Sequence, residues 1–248
     1  MTVAGLLMAT MLINQECQSQ TAAPAAAPAA NTPAPGAPAV AGAGSIAGKV
    51  TLTGTPPAMP RLKREADPFC GKTPMTDQEV VVGSGGALKN VVVRVIKGAT
   101  PLVTPPAEAK EVSQQNCMYV PRVSGAVAGQ KIMIKNTDPT MHNVHSYAGT
   151  TTLFNQAQMK GSKDIEKVVS AGITKFKCDV HPWMTGYIVA NDNPFIVVTG
   201  DNGEFTLVNV PAGTYTVEAW HEKYGTKTVD VTVAAGAPAK ADFAFATQ

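Results

Sequence analysis

From Ser45 onward the sequence predicts an all-β protein. Three observations carry this: apolar residues alternate at a period of two, no stretch shows a period of 3.6, and clusters of Gly, Pro and Asn separate the apolar runs. Candidate strands run over residues 46–53, 80–82, 91–96, 130–135, 195–198, 204–208, 214–219 and 227–233, closing with 241–245. Between them lie Gly83-Ser84-Gly85-Gly86, Asp201-Asn202-Gly203 and Pro211-Ala212-Gly213, residues that preset or tolerate the backbone angles of tight connections. Many short strands with such punctuation favour β-sandwiches over a parallel sheet with crossover helices.

The N-terminal part has a different texture. Residues 3–13 form an eleven-residue apolar stretch, the length of the central part of an export signal and too short to span a bilayer. No Lys or Arg precedes Lys49, and the residues before Cys17 are not the small ones expected ahead of a lipidated cysteine. Residues 1–21 are therefore read as an export signal or anchor segment, with Cys17 a candidate for lipid attachment. Residues 22–44 contain 12 Ala, 5 Pro and 3 Gly and no charge, a composition that cannot build a core and predicts a disordered, extended tether.

Charge excludes some functions. Twenty Lys and Arg against eighteen Asp and Glu give a net charge of +2 with no long like-charged block, which argues against a nucleic-acid partner. Four cysteines are too few for a disulfide-built scaffold, and no run of eighteen apolar residues is present to span a membrane.

The last third of the chain carries two motifs. Residues 199–207, TGDNGEFTL, are followed by Val210-Pro211-Ala212-Gly213-Thr214-Tyr215. Together they resemble the carboxypeptidase regulatory-like (transthyretin-like) β-sandwich, and the family's opening strands are similar to residues 44–51 and 88–93. About one hundred residues intervene. The resemblance therefore implies a discontinuous sandwich over 45–98 and 194–248, interrupted by an insertion at 99–193, which a surface loop tolerates because closure entropy grows only with the logarithm of length.

Inside the insertion, Cys178-Asp179-Val180-His181-Pro182-Trp183-Met184 spaces a thiol, an imidazole and a thioether three residues apart. These are soft or borderline donors, and with a second imidazole they make the set that suits copper cycling between Cu(I) and Cu(II). Zinc accepts Cys and His but gains little from a thioether. The second imidazole has two candidates, His142 and His145. On a strand, residues three apart face opposite sides, so only one of them can point at a common ion, and spacing does not choose between them.

The run 127–136, VAGQKIMIKN, followed by His142-Asn143-Val144, is similar to the plastocyanin/amicyanin (cupredoxin) pattern, in which a strand ending in Asn precedes a ligand histidine. The compact ligand loop resembles that of amicyanin. The resemblance covers about residues 112–192 and implies a Greek-key cupredoxin sandwich inserted in or packed beside the other one. It implies one mononuclear copper held by His142, Cys178, His181 and Met184, and Asn143 tying the ligand strand to the cysteine loop by hydrogen bonds. His181 would be the ligand nearest solvent, with Pro182, Trp183 and Met141 forming a docking patch and Lys175, Lys177 and Lys163 biasing it toward an acidic partner.

His145 is expected to be a hydrogen-bonded strand histidine and His221 a satisfied hairpin or interdomain one. In an oxidising compartment a disulfide between Cys70 and Cys117 is the economical expectation, since free thiols beside copper invite oxidation. An ion with only protein ligands leaves no open position for a substrate, so the expectation is a monomeric one-electron carrier rather than an enzyme. It would be exported, periplasmic or envelope-tethered, would meet a redox protein partner, and would touch the membrane only through an N-terminal anchor. The competing readings are an envelope binding or adhesion protein with a structural or residual metal, and a copper-delivery protein, for which the scattered methionines are poorly placed.

Overall fold

The structure, a computed structural model, describes residue 1, residues 42–101 and residues 104–247. The expected export segment with Cys17, and the tether up to residue 41, lie outside the described residues apart from Met1. Strand β1 (Gly44–Thr53) opens the fold, and a long connection with short 3-10 turns at Cys70–Lys72 and Ser84–Gly86 leads to β2 (Val92–Lys97). There follow β3 (Lys110–Gln115), β4 (Met118–Val120), β5 (Val123–Val127), β6 (Lys131–Asn136), β7 (His142–Ala148), β8 (Thr151–Gln158), β9 (Ile165–Val168), β10 (Gly172–Lys177) and β11 (Thr185–Asn191). The chain closes with β12 (Ile196–Val198), β13 (Glu204–Val210), β14 (Gly213–His221), β15 (Gly225–Val233), β16 (Pro238–Lys240) and β17 (Phe243–Ala246).

These strands form four sheets in two sandwiches. In the outer sandwich, β13-β1-β16, with β17 also on β1, faces β12-β2-β14-β15. In the inserted one, β5-β11-β10-β7-β8 faces β4-β3-β6-β9. The all-β class is as predicted, and the alternation explains it residue by residue. On β13, Phe205 and Leu207 are buried between exposed Glu204, Thr206 and Val208. On β6, Ile132 and Ile134 are buried while Lys131 is exposed. Each fully buried Ile, Leu or Phe contributes roughly 1.5–3 kcal/mol. The outer core gathers Ile46, Val50, Leu52, Val93, Val95, Val217, Phe243 and Phe245. The inserted core gathers Val112, Tyr119, Ile132, Ile134, Val144, Phe176 and Ile188, and Cys178 and Met184 continue it.

A third cluster joins the sandwiches: Val92 and Trp220 from the outer one pack with Val123 and Val189 of the insertion. A Cβ at Gly125 would lie 3.0 Å from Ile196, so glycine permits this close approach of β5 to β12. Arg122, just beyond β4, donates from its guanidinium to Glu222 beyond β14 at 2.8 Å, both side chains being almost wholly buried. Removing one partner of such a pair leaves an uncompensated charge and costs about 3–5 kcal/mol, so the pair specifies how the sandwiches meet. Among the described residues no helix is long and apolar enough to cross a membrane.

Two expectations are corrected. Residues 80–82 form no strand; Val82 makes only an isolated bridge to Leu88, because the Gly83–Gly86 turn folds the chain back before a ladder can extend. His221 is buried at the end of β14 but is not fully satisfied: its Nδ1 accepts from the Lys223 N–H at 3.1 Å, while Nε2 has no hydrogen-bond partner among the described residues. Burial and the neighbouring Arg122 charge hold it down to about 4.

The neutral imidazole is thus the form that fits, and stability is full above the ordinary histidine value near 6.5 and falls as the unfolded chain takes up the proton between there and about 4. The difference is on the order of 3 kcal/mol. Denaturant midpoints at pH 7 and pH 4.5 are expected to converge in His221→Phe relative to the unmodified protein; an unchanged gap places the acid sensitivity elsewhere.

Candidate metal centre

The ligand loop at residues 178–184 is the connection of the β10–β11 hairpin, whose last paired residues are Lys177 and Thr185. Its own backbone closes it: the Met184 N–H donates to the His181 carbonyl at 2.9 Å and the Cys178 N–H donates to the Met184 carbonyl at 3.3 Å. Beside it runs β7, registered on β10 so that His145 opposes Lys177. The alternation of β7 turns His142 inward, fully buried, and leaves His145 on the outer face, 18% exposed at its side chain. There His145 contacts the Asp179 carboxylate at 3.0 Å and stacks on Tyr147. His145 is accordingly a hydrogen-bonded strand residue outside the inward-facing cluster.

His142 Nδ1, Cys178 Sγ and a ring nitrogen of His181 converge, all within 4.8 Å of one another and all buried. The two Nδ1 atoms are 2.9 Å apart, and Cys178 Sγ is 3.6 Å from His181 Nδ1. The far side of each ring faces a carboxylate. His142 Nε2 lies 2.9 Å from Asp138 Oδ2 and His181 Nε2 lies 3.2 Å from Asp67 Oδ2. An ionised carboxylate only accepts, so each Nε2 carries a proton and each Nδ1 presents its lone pair to the other and to the sulfur. Lone pairs facing one another at this distance need a cation between them, a proton or a metal ion. Met184 is fully buried on the same loop. The donor set fits a soft or borderline ion with thiolate and imidazole ligands.

The electrostatics prepare the same state. Burial by itself raises the Cys178 thiol, but with a proton in place of a metal on the Nδ1 side a hydrogen bond from His142, together with those from the backbone N–H groups of Asn143, His181 and Val180, outweighs it and holds the thiol below its ordinary value. Burial disfavours a charge on His142, yet Asp138 and Cys178 raise its pKa. His181 is pushed down, chiefly by burial and further by the charges of His142 and Arg64, against Asp67, whose hydrogen bond and charge raise it. Asp138 is buried, and it stays ionised because His142 and the N–H groups of Cys117 and Asn116 donate to it. Asn143 donates from its amide to Asp179 Oδ2 at 2.9 Å, accepts from the Asp179 N–H, and directs its backbone N–H at Cys178 Sγ at 3.5 Å. It therefore bridges β7 to the cysteine loop.

His181, expected to be the ligand nearest solvent, is the least buried of the four candidates, yet its residue is only 2% exposed, because the connection after β1 in the outer sandwich passes over it. Cys70 in that connection forms a disulfide with Cys117, and Cys70 Sγ sits 3.6 Å from His181 Nε2. Cys117 is at the tip of the β3–β4 hairpin, where Asn116 and Cys117 both have positive φ and both amides donate to Asp138 at 2.7 Å. Arg64 is buried over the same spot, donating to the carbonyls of Thr73 and Asn116, with its guanidinium 5.9 Å from the Trp183 ring centroid. In the expected docking patch Pro182 and Met141 are exposed, but Trp183 is half-buried and its indole N–H is committed to the Cys117 carbonyl at 3.0 Å.

Sequence reading missed Asp67, Asp138 and Arg64. Asp138 left a usable signal, a carboxylate four residues ahead of the candidate ligand His142. Asp67 left none, being 114 residues from His181.

The model of the carboxypeptidase regulatory-like domain matches residues 188–246. No curated protein matches the chain. Solved structures similar to it include a purple cupredoxin from Nitrosopumilus maritimus, 21% identical, covering 33% of this chain and 99% of that one with a TM-score of 0.30. Amicyanin from Paracoccus versutus is 21% identical over 40% of this chain and 97% of its own, with a TM-score of 0.31. A copper-containing nitrite reductase from Thermus scotoductus is 18% identical over 40% of this chain but only 25% of that one, with a TM-score of 0.32.

The disulfide closes a loop of 47 residues over the site, worth about 4 kcal/mol on a chain-entropy account. Replacing both Cys70 and Cys117 by Ala is expected to speed removal of a bound metal by a chelator at least tenfold, read by stopped-flow or manual mixing; equal rates in the two proteins show that the loop does not limit access.

Proposed function

We propose that this chain is a mononuclear type 1 copper protein that carries single electrons in the cell envelope. The carrying observation is the convergence of His142 Nδ1, Cys178 Sγ and His181 on one buried point, with Met184 closing the same loop. When bound, copper supplies a reversible one-electron store. The chain's own residues do the rest. Asp138 and Asp67 hold the imidazoles with their lone pairs inward, Asn143 and Tyr119 brace β7 against the loop, and the disulfide-linked connection excludes water. The buried thioether weighs for copper over zinc.

Four protein donors leave no place for a substrate, which supports a carrier rather than an enzyme. The disulfide fits an oxidising compartment, in keeping with export. With His181 covered, exposed Met141 and Pro182 flank the site and offer a small patch to a redox partner, the size typical of transient encounters.

One equivalent of Cu(II) added to the purified protein is expected to give an intense visible absorption and a Cu(II) EPR signal with narrow hyperfine splitting. Cys178→Ser should abolish the absorption while leaving the fold intact; its survival removes Cys178 from the ligand set. Met184→Gln should keep copper and lower the reduction potential in protein-film voltammetry, and an unchanged potential excludes an axial Met184.

A further inference from the structure

We propose that Asp67, delivered by the outer sandwich, is the positioning residue for His181, so that the metal centre is complete only when the two sandwiches are docked. The inference rests on the metal-site reading above and concerns what keeps one of its ligands in place.

Asp67 is fully committed by its neighbours. Its Oδ1 accepts from the N–H groups of Phe69 at 2.8 Å and Cys70 at 3.0 Å, and its Oδ2 accepts from the Thr140 hydroxyl at 2.8 Å and from His181 Nε2 at 3.2 Å. A carboxylate whose two oxygens already accept from two backbone N–H groups and a hydroxyl is placed to accept from the ring as well. His181 must therefore donate from Nε2 and present a lone pair at Nδ1, the tautomer that a metal requires.

The loop that carries Asp67 is pinned on both sides. The Gly71 N–H returns to the Asp67 carbonyl at 2.9 Å, and Cys70 is bonded to Cys117 of the insertion. Thr140, which orients Oδ2, precedes the ligand strand by two residues, so the contact reads the position of β7 as well as that of the ligand loop. Arg64 offsets the two carboxylates: its charge is felt by both Asp138 and Asp67, and its hydrogen bonds go to backbone carbonyls instead of competing for either one. The cupredoxin resemblance implies a loop histidine nearest solvent. Here it faces an anion that this chain adds from another domain. An imidazole backed by an anion is a stronger donor and favours the more highly charged ion, so the contact stabilises Cu(II) over Cu(I).

The test is Asp67→Asn in the full-length protein. Asparagine keeps an oxygen for the Phe69 and Cys70 amides, which preserves the loop, and turns an N–H toward Nε2. His181 is then driven to accept at Nε2 and to place its proton on the metal side. Competition titrations should show Cu(II) affinity falling 10- to 100-fold. Cu(I) affinity should fall less, so that the potential rises, 59 mV for each tenfold in the ratio. Affinities within twofold of the unmodified protein together with an unchanged potential would overturn the proposal and leave Asp67 as a loop anchor.

A measurement on the unmodified protein needs no variant. In its diamagnetic Cu(I) form, 15N-resolved imidazole spectra should show a His181 Nε2–H protected from solvent exchange; an Nε2–H exchanging as fast as a free imidazole overturns the assignment. A protein that takes up no Cu(II) sinks the copper reading instead. The Asp67 assignment is then decided with Zn2+, which needs the same tautomer: the same loss in Asp67→Asn supports it and equal Zn2+ affinities overturn it.

Discussion

Two imidazole nitrogens held 2.9 Å apart with their lone pairs facing, and a thiol beside them that leans toward its anionic form, make a state that is stable only around a cation. Much of the inserted sandwich can be traced to keeping that state in place. Asn136, which ends β6, donates to the Thr140 and Gln158 carbonyls and so shapes the turn that delivers His142. Asp138 in that turn accepts from His142 and from two amides of the β3–β4 hairpin tip. Tyr119 donates from its hydroxyl between the Asn143 and Lys177 carbonyls, tying β7 to β10 at the ligand end. None of these groups is idle, because an unpaired polar group at such depth costs about 1–3 kcal/mol.

The outer sandwich is a partner in the site and more than a tether. It meets the insertion through the Trp220 and Val189 cluster and the buried Arg122–Glu222 pair, and its long connection then crosses to the far end, where Asp67, Cys70 and Arg64 close over His181. Two carboxylates and a thiolate stand against one guanidinium, so a divalent ion on the ligands balances the local charge and a monovalent one leaves it one negative. Such an arrangement places the histidine that the motif implies is the exposed one under a disulfide, and it shifts the accessible part of the site to Met141 and Pro182.

β1, β6 and β13 alternate over most of their length, β14 up to its buried end and β15 in its second half, and all five are found within a few residues of where the pattern puts them. β8 left no such mark, because it is an edge strand with nearly every residue exposed and no apolar alternation. Residues 80–82 had the right composition for a strand but lack a neighbour to pair with along their length. The candidate ligands were legible because a metal needs several donors from one short loop, and that local spacing survives in the linear chain. Asp67 and Arg64 were not legible, since a residue that acts on a site more than one hundred positions away leaves no periodicity behind.

The sequence by itself therefore determined the class of the fold, from the period of its apolar residues, and the chemical character of the loop donors, from their spacing, while two family resemblances implied the two sandwiches. Spacing left open which of His142 and His145 faces inward, although strand alternation allowed only one, and the resemblance implied His142. Tertiary structure decided that by the register of β7 on β10, and it decided that His181 is buried, because only folding brings the connection after β1 across the ligand loop. The reason is physical: periodicity records which face of a strand is apolar, whereas the backing of an imidazole by a carboxylate depends on how two sandwiches pack.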